Sequence, residues 1–266
     1  MASEHARRPS FRLHPALCAA APVVFRRSVG FAPNADLWTL LAFHCRAARL
    51  PKERRRYSFE ADVPCVTVPY EPGAVLAILG EERVRPGKHD RGDYSGNAWR
   101  GFGAARNRLN EVDARFPVTV RGGRKRKDFS GSLICQEREV GEVVLRCCAP
   151  PGVGYFVLVP EHAFEHRPHL GEAATAALLR LLYFHRGSKG KEKGAKLQHR
   201  WALEVTADSL RETGLIDCAP GRVSETFRRL KTALAELELA KVLKLKVLPG
   251  GLRLELSRDF FHCEEE

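Results

Sequence analysis

Two short clusters of side chains carry the chemistry that reads base edges in a DNA groove. Arg100, Arg106, Asn107 and Asn110 form the first; Ser224, Glu225, Arg228, Arg229 and Thr232 form the second. An arginine fits guanine and an asparagine fits adenine, each through a bidentate pair of hydrogen bonds, and hydroxyls and carboxylates complete the set. Spacing decides which of these can reach a groove. Phe102, Ala105, Leu109 and Val112 step 3-4-3 along the chain, and Phe227, Leu230, Leu234 and Leu237 repeat that rhythm. Each run predicts an amphipathic helix with one apolar stripe. Opposite the first stripe lie Arg100, Gly103 and Asn107, flanked by Arg106 and Asn110. With Val223 added to the second stripe, its opposite face shows Glu225, Arg228 and Thr232, flanked by Ser224 and Arg229. Gly103 lets the helix backbone come close to a groove.

The elements around each helix follow a common order. Before the first come a helix from Asn34 or Asp36 to about Leu50, a strand at Cys65–Val68 and a short helix opened by Pro72. The long helix starts near Asn97 and ends near Phe116-Pro117, and strands follow at Val118–Val120, Leu133–Cys135, Val143–Leu145 and Tyr155–Val159. Before the second come a helix over Ala173–His185, a strand over Trp201–Val205 and a short helix from Thr206 to Thr213. Gly214 closes that helix, and Ser209 is not read as a capping-box partner for Thr206. The long helix runs from Gly221 to Ala240, and Lys241–Leu248 and Leu252–Leu256 form a hairpin. Strand, short helix, long helix, β-wing is the order of a winged helix-turn-helix, whose second helix enters the major groove. The expected fold is therefore α+β, with two tandem winged helix-turn-helix domains, the first with an enlarged β-wing. The expected boundaries are an N-terminal segment 1–30, domains at 31–160 and 170–260, a linker at 161–169 and an acidic tail at 261–266.

The wings carry phosphate chemistry. Arg121, Arg124, Lys125, Arg126 and Lys127 crowd the first wing turn, and Lys244, Lys246 and Arg253 flank the second at Pro249-Gly250-Gly251. Basic wing tips reach phosphates, and each contact adds salt-dependent affinity. The run Lys52–Arg56 is a solvated loop or a further phosphate contact. Overall the chain holds 44 Lys and Arg against 32 Asp and Glu in 266 residues, a net charge of +12. Such an excess favours a polyanionic partner.

Other functions lack a frame. The eight cysteines include no C-x-x-C pair, so no zinc ribbon is expected, and most suit buried thiols in a reducing cytoplasm. His162, His166 and His169 read as a solvated linker rather than a metal site. No G-x-x-x-x-G-K-[ST], G-x-S-x-G or H-E-x-x-H motif occurs, so no enzyme, catalytic residue, metal or cofactor is expected. No stretch has the length of a membrane span, and Leu13–Phe25, broken by His14, Pro15 and Pro22, reads as a strand or loop of the mature protein.

The pattern of Ala173–His185, Trp201–Val205, Thr206–Gly214, Gly221–Ala240 and the Lys241–Leu256 hairpin resembles the second domain of iteron-binding plasmid replication initiators, and Asn34–Val159 resembles their first. The resemblance implies a cytoplasmic, nucleoid-associated protein that binds repeated sequences of double-stranded DNA at a plasmid or phage origin. It also implies local melting, recruitment of a host initiator and replicative helicase, and homodimers that repress where monomers initiate. The competing expectation is a winged-helix transcriptional regulator on a palindromic operator. A third is an interaction protein whose winged helices bind protein. Direct repeats favour the initiator, inverted repeats the regulator, and weak salt-sensitive DNA binding the interaction protein.

Overall fold

A computed structural model describes residues 9–27, 29–60, 63–83, 94–119, 126–137, 141–150, 156–186, 188–189, 197–218 and 221–261. The fold is mixed α+β, and the chain divides into two compact units. One is continuous, Arg12–Phe156. The other joins Met1–Phe11 to Val157–Glu266. The division therefore falls inside the first strand, β1 (Ser10–Leu13), and at Phe156, not at residues 30 and 160.

The continuous unit opens with α1 (Pro15–Arg27) and α2 (Pro33–Arg49). Sequence had assigned Leu13–Phe25 to a strand or loop because of its prolines. Instead Pro15 starts the helix, where its missing N–H costs nothing, and Leu17, Ala21 and Val24 fall on one buried face. Packing of that face on α2 and on strand β4 holds the helix through Pro22. Strands β2 (Arg56–Glu60) and β3 (Val63–Pro69) form a hairpin, followed by α3 (Pro72–Ile78) and α4 (Gly96–Glu111). Then come β4 (Ala114–Thr119), β5 (Arg126–Gly131), β6 (Ile134–Glu137) and β7 (Glu142–Arg146). Helix α4 stops at Glu111, and Phe116-Pro117, expected at its end, lie in β4. Val112 is its extended C-cap, and Phe116 pairs across the hairpin with Phe129. The antiparallel sheet has the order β2-β3-β7-β6, and β4-β5 is a separate hairpin.

In the second unit β8 (Val157–Pro160) pairs with β1, Pro9 accepts a 2.9 Å bond from Glu161 N, and Phe11 stacks on Phe164. Residues 161–169, expected as a solvated linker, are a 3-10 stretch that buries Ala163 and Phe164. His162 sits edge-on to Phe260, with ring centres 4.8 Å apart. Then come α5 (Glu172–His185), β9 (Ser188–Lys189), β10 (Leu197–Gln198), β11 (Ala202–Thr206), α6 (Leu210–Thr213), α7 (Val223–Leu239), β12 (Leu243–Leu248), β13 (Gly251–Leu256) and α8 (Arg258–Phe261). The sheet order is β11-β13-β12, with β13 in the middle. Gly250, at φ +79°, makes the tight turn between β12 and β13. Gly251 lies so close to β11 that a Cβ there would meet the Val205 carbonyl oxygen at 2.9 Å.

Both units thus run helix, strand, short helix, long helix, hairpin. In the second, the hairpin strand β13 pairs with β11. In the first, the strand before the short helix, β3, pairs with β7 from a later hairpin.

Candidate nucleic-acid interface

Helix α4 is positioned by both ends of its sequence. Ser95 caps it, accepting from Ala98 N at 3.1 Å. Phe102, Ala105 and Leu109 bury one face, and Arg108 is tied to Asp36 at the start of α2. Arg108 Nε donates to both Asp36 oxygens at 3.0 Å, and Nη2 donates to Oδ1 at 2.8 Å. Asp36 is fully buried and also accepts from Ala32 N at 2.6 Å, closing the first turn of α2.

That clamp turns Arg100 and Asn107 outward with Ala104 and Glu111, and all four are exposed. Arg100 lies along the first turn, donating to Gly96 O at 3.3 Å and to Asn97 Oδ1 at 2.5 Å. Asn107 accepts from Arg106 at 2.6 Å, and Arg106 in turn donates to Tyr70 Oη at 2.9 Å with its guanidinium over that ring. Arg106 is therefore half-buried and serves to orient Asn107. Asn110 departs from the expected face: its Oδ1 accepts from Gln136 N at 3.3 Å, tying α4 to the edge of β6. Gly103 has open space where a Cβ would stand, as have Gly96 and Gly101, so no packing within the chain demands these glycines.

On α7 the buried stripe is Thr226, Leu230, Ala233, Leu234 and Leu237. Thr226, not Phe227, belongs to it, because its hydroxyl is satisfied by Arg222 O at 2.8 Å and its methyl group is then free to pack. Phe227 and Val223 are half-buried at the margin. The face opposite centres on Arg228, with Ser224, Glu225, Lys231 and Thr232 exposed around it. Arg229 is rotated to the half-buried flank. Glu225 pairs with Arg222, and Thr232 donates to Arg228 O. Lys231, over the Phe227 ring, was missed, and it joins the exposed face only once Thr226 replaces Phe227 in the stripe. The preceding turn is fastened by Thr206 and Ser209. Each backbone N–H donates to the other's hydroxyl, at 2.9 and 3.1 Å, a reciprocal pair that closes the turn between β11 and α6, while Ser209, the N-cap of α6, makes no side-chain bond to the helix. Gly214 then takes the left-handed conformation at φ +58°.

Two of the three hairpin cations, Lys246 and Arg253, are occupied by carboxylates, and Lys244 is exposed. Lys246 pairs with Glu255 at 2.8 Å, and Arg253 reaches both Glu204 at 3.4 Å and Glu255 at 3.5 Å. The Lys246 hydrogen bond, with Arg253 and Lys244 nearby, holds the Glu255 carboxyl below the usual carboxylate range. Such solvent-exposed pairs are screened by water and salt and contribute little to stability. Arg121, Arg124 and Lys125 lie outside the described residues; Arg126 and Lys127 open β5, and only their backbone is described. In the Lys52–Arg56 run, Arg54 and Arg56 are engaged by Glu71 and Glu142.

Among the described residues no group of three or more His, Cys, Asp and Glu could hold a metal ion, and no helix is long and apolar enough to cross a membrane. Comparison with protein-family models, curated proteins and solved structures returns no match.

Proposed function

We propose that the chain binds double-stranded DNA in a sequence-specific way through two winged helix-turn-helix units. The observation that carries the reading is the repeated order of elements with an outward polar face on each long helix. Arg100 and Asn107 occupy that face on α4, and Ser224, Arg228, Lys231 and Thr232 occupy it on α7. The β11-β13-β12 sheet, with the hairpin's second strand in the middle, is the arrangement a wing requires. The net charge of +12 supports a polyanionic partner.

The two faces differ in chemistry, so one chain reads two different groups of bases. An asymmetric site of that kind suits directly repeated elements, and the reading extends to a plasmid or phage replication initiator at a repeated origin. A dimeric regulator instead requires an inverted repeat that matches its two-fold axis. Footprinting of the full chain on genomic fragments decides between them. Protection of about 20 base pairs of a direct repeat by one chain supports the initiator, on the geometry of two adjacent groove contacts. Protection of palindromes alone supports the regulator. Arg228→Ala should weaken specific binding by about 1–3 kcal/mol with the melting curve unchanged, and unchanged affinity removes α7 as the reader.

A further inference from the structure

The β2-β3-β7-β6 sheet has two edges, and they are treated differently. At β6 the Asn110 side chain occupies the backbone N–H of Gln136. Among the described residues no strand lies beyond β2, and all five of its residues, Arg56-Tyr57-Ser58-Phe59-Glu60, are exposed. Edge strands are normally blunted by charged side chains, proline, a bulge or short length. This one has five residues and no lysine, proline or bulge; its charges, Arg56 and Glu60, are opposite in sign and so complementary across an antiparallel pair, and it pairs in unbroken register with β3, Arg56 to Thr67 through Glu60 to Val63.

Its sequence is chemically symmetric about Ser58: cation, aromatic, serine, aromatic, anion. Laid antiparallel against a second copy with Ser58 on the axis, Arg56 faces the partner's Glu60 and Tyr57 faces the partner's Phe59. Directly opposed residues share a sheet face, so the two chemistries stay apart. On one face Arg56 already reaches across β3 to Glu142, and Glu60 reaches Arg146. The dimer would continue these into one row of alternating charge: Glu142, Arg56, the partner's Glu60, the partner's Arg146. On the other face Tyr57 and Phe59, 38% and 44% exposed, extend the buried row of Val66 and Leu145 and would meet their counterparts there. We infer that β2 is a homodimer interface, joining two copies of this chain antiparallel about Ser58 into one continuous eight-stranded sheet. Because the two-fold axis passes between the two copies of β2, the same patch is used on both, and the contact is isologous and closes at two copies. The inference is independent of DNA binding and is tested without DNA.

Sedimentation velocity of the full chain at roughly 100 μM should show a dimer. Ser58→Lys and Ser58→Glu each place like charges on the axis without touching either ion pair. Each alone should be monomeric, its dimer weakened by about tenfold or more, and an equimolar mixture should dimerise again. R56E and E60R should behave the same way, monomeric alone and heterodimeric when mixed, which fixes the register. Recovery on mixing also shows that the variants are folded. A monomeric wild type, a dimer indifferent to charge at position 58, or mixtures that stay monomeric would each overturn the inference.

Discussion

Removing Arg108 should cost more than removing its partner Asp36, and the inequality follows from burial. Asp36 is fully buried, whereas the Arg108 side chain is 29% exposed. In Arg108→Ala the carboxylate keeps only the Ala32 N–H among the bonds described above, with no counter-charge. Breaking a buried pair on that side costs about 3–5 kcal/mol. In Asp36→Ala the guanidinium turns to water. What is lost is the net value of hydrogen bonds to a charged group, about 1.5–3 kcal/mol, and the closure of α2. The double variant should resemble Asp36→Ala, so it should be more stable than Arg108→Ala alone, with a coupling about as large as the Arg108→Ala cost itself, about 3–5 kcal/mol. Urea unfolding followed by tryptophan fluorescence in a Trp201→Phe background isolates this unit, since Trp38 lies on α2 and Trp99 on α4. Equal single-variant costs that add in the double variant would show the two groups to be energetically independent and refute the reasoning.

The other predictions follow from single environments. His44 is buried, and desolvation lowers its pKa from 6.5 to about 4. It is therefore neutral in the fold, and the unfolded chain takes up the proton first. The stability of this unit should fall between about pH 6.5 and pH 4, by about 3 kcal/mol in all. His44→Leu should flatten that slope in a urea midpoint series; an unchanged slope assigns it elsewhere. Gly101→Ala adds a Cβ into open space within α4, so the melting temperature should rise, corresponding to about 0.5–1 kcal/mol. A fall would mean that the position needs its glycine for another reason. On the DNA-binding proposal, Glu255→Gln releases Lys246 and Arg253 and should tighten binding to any duplex several-fold, as read by fluorescence anisotropy. Weaker binding would place Glu255 in a supporting role instead.

Periodicity made α2, α4, α5 and α7 legible, since each buries a stripe at helical spacing, and turn chemistry marked the β12-β13 hairpin. Local signals failed where a distant partner decides. Pro22 argued against α1, whose support is its packing on β4, about ninety residues later. Strand β2 is too short for its alternation to register beside the arginines that precede it. A stripe read from apolar residue types alone has no place for Thr226, whose bond to Arg222 O lets it pack as a core residue. On the candidate site, residue type and phase placed Arg100, Asn107 and Arg228 on outward faces, and all three are exposed. The diversion of Arg106 to Tyr70 and of Asn110 to Gln136 depends on contacts 36 and 26 residues apart in sequence.

The discontinuous unit has a consequence for synthesis. Its first strand, β1, leaves the ribosome long before its partner β8, which begins at Val157. At ordinary elongation rates, roughly 7 to 30 s separate Phe11 from Val157. During that interval the continuous unit Arg12–Phe156 can complete itself while the segment that Phe11 closes still lacks its mate. The discontinuous unit must then recruit a strand made before the continuous unit. A fragment starting at Val157 lacks Phe11, which stacks on Phe164, and Pro9, which accepts from Glu161 N, so this unit is properly excised only with its N-terminal segment supplied in trans.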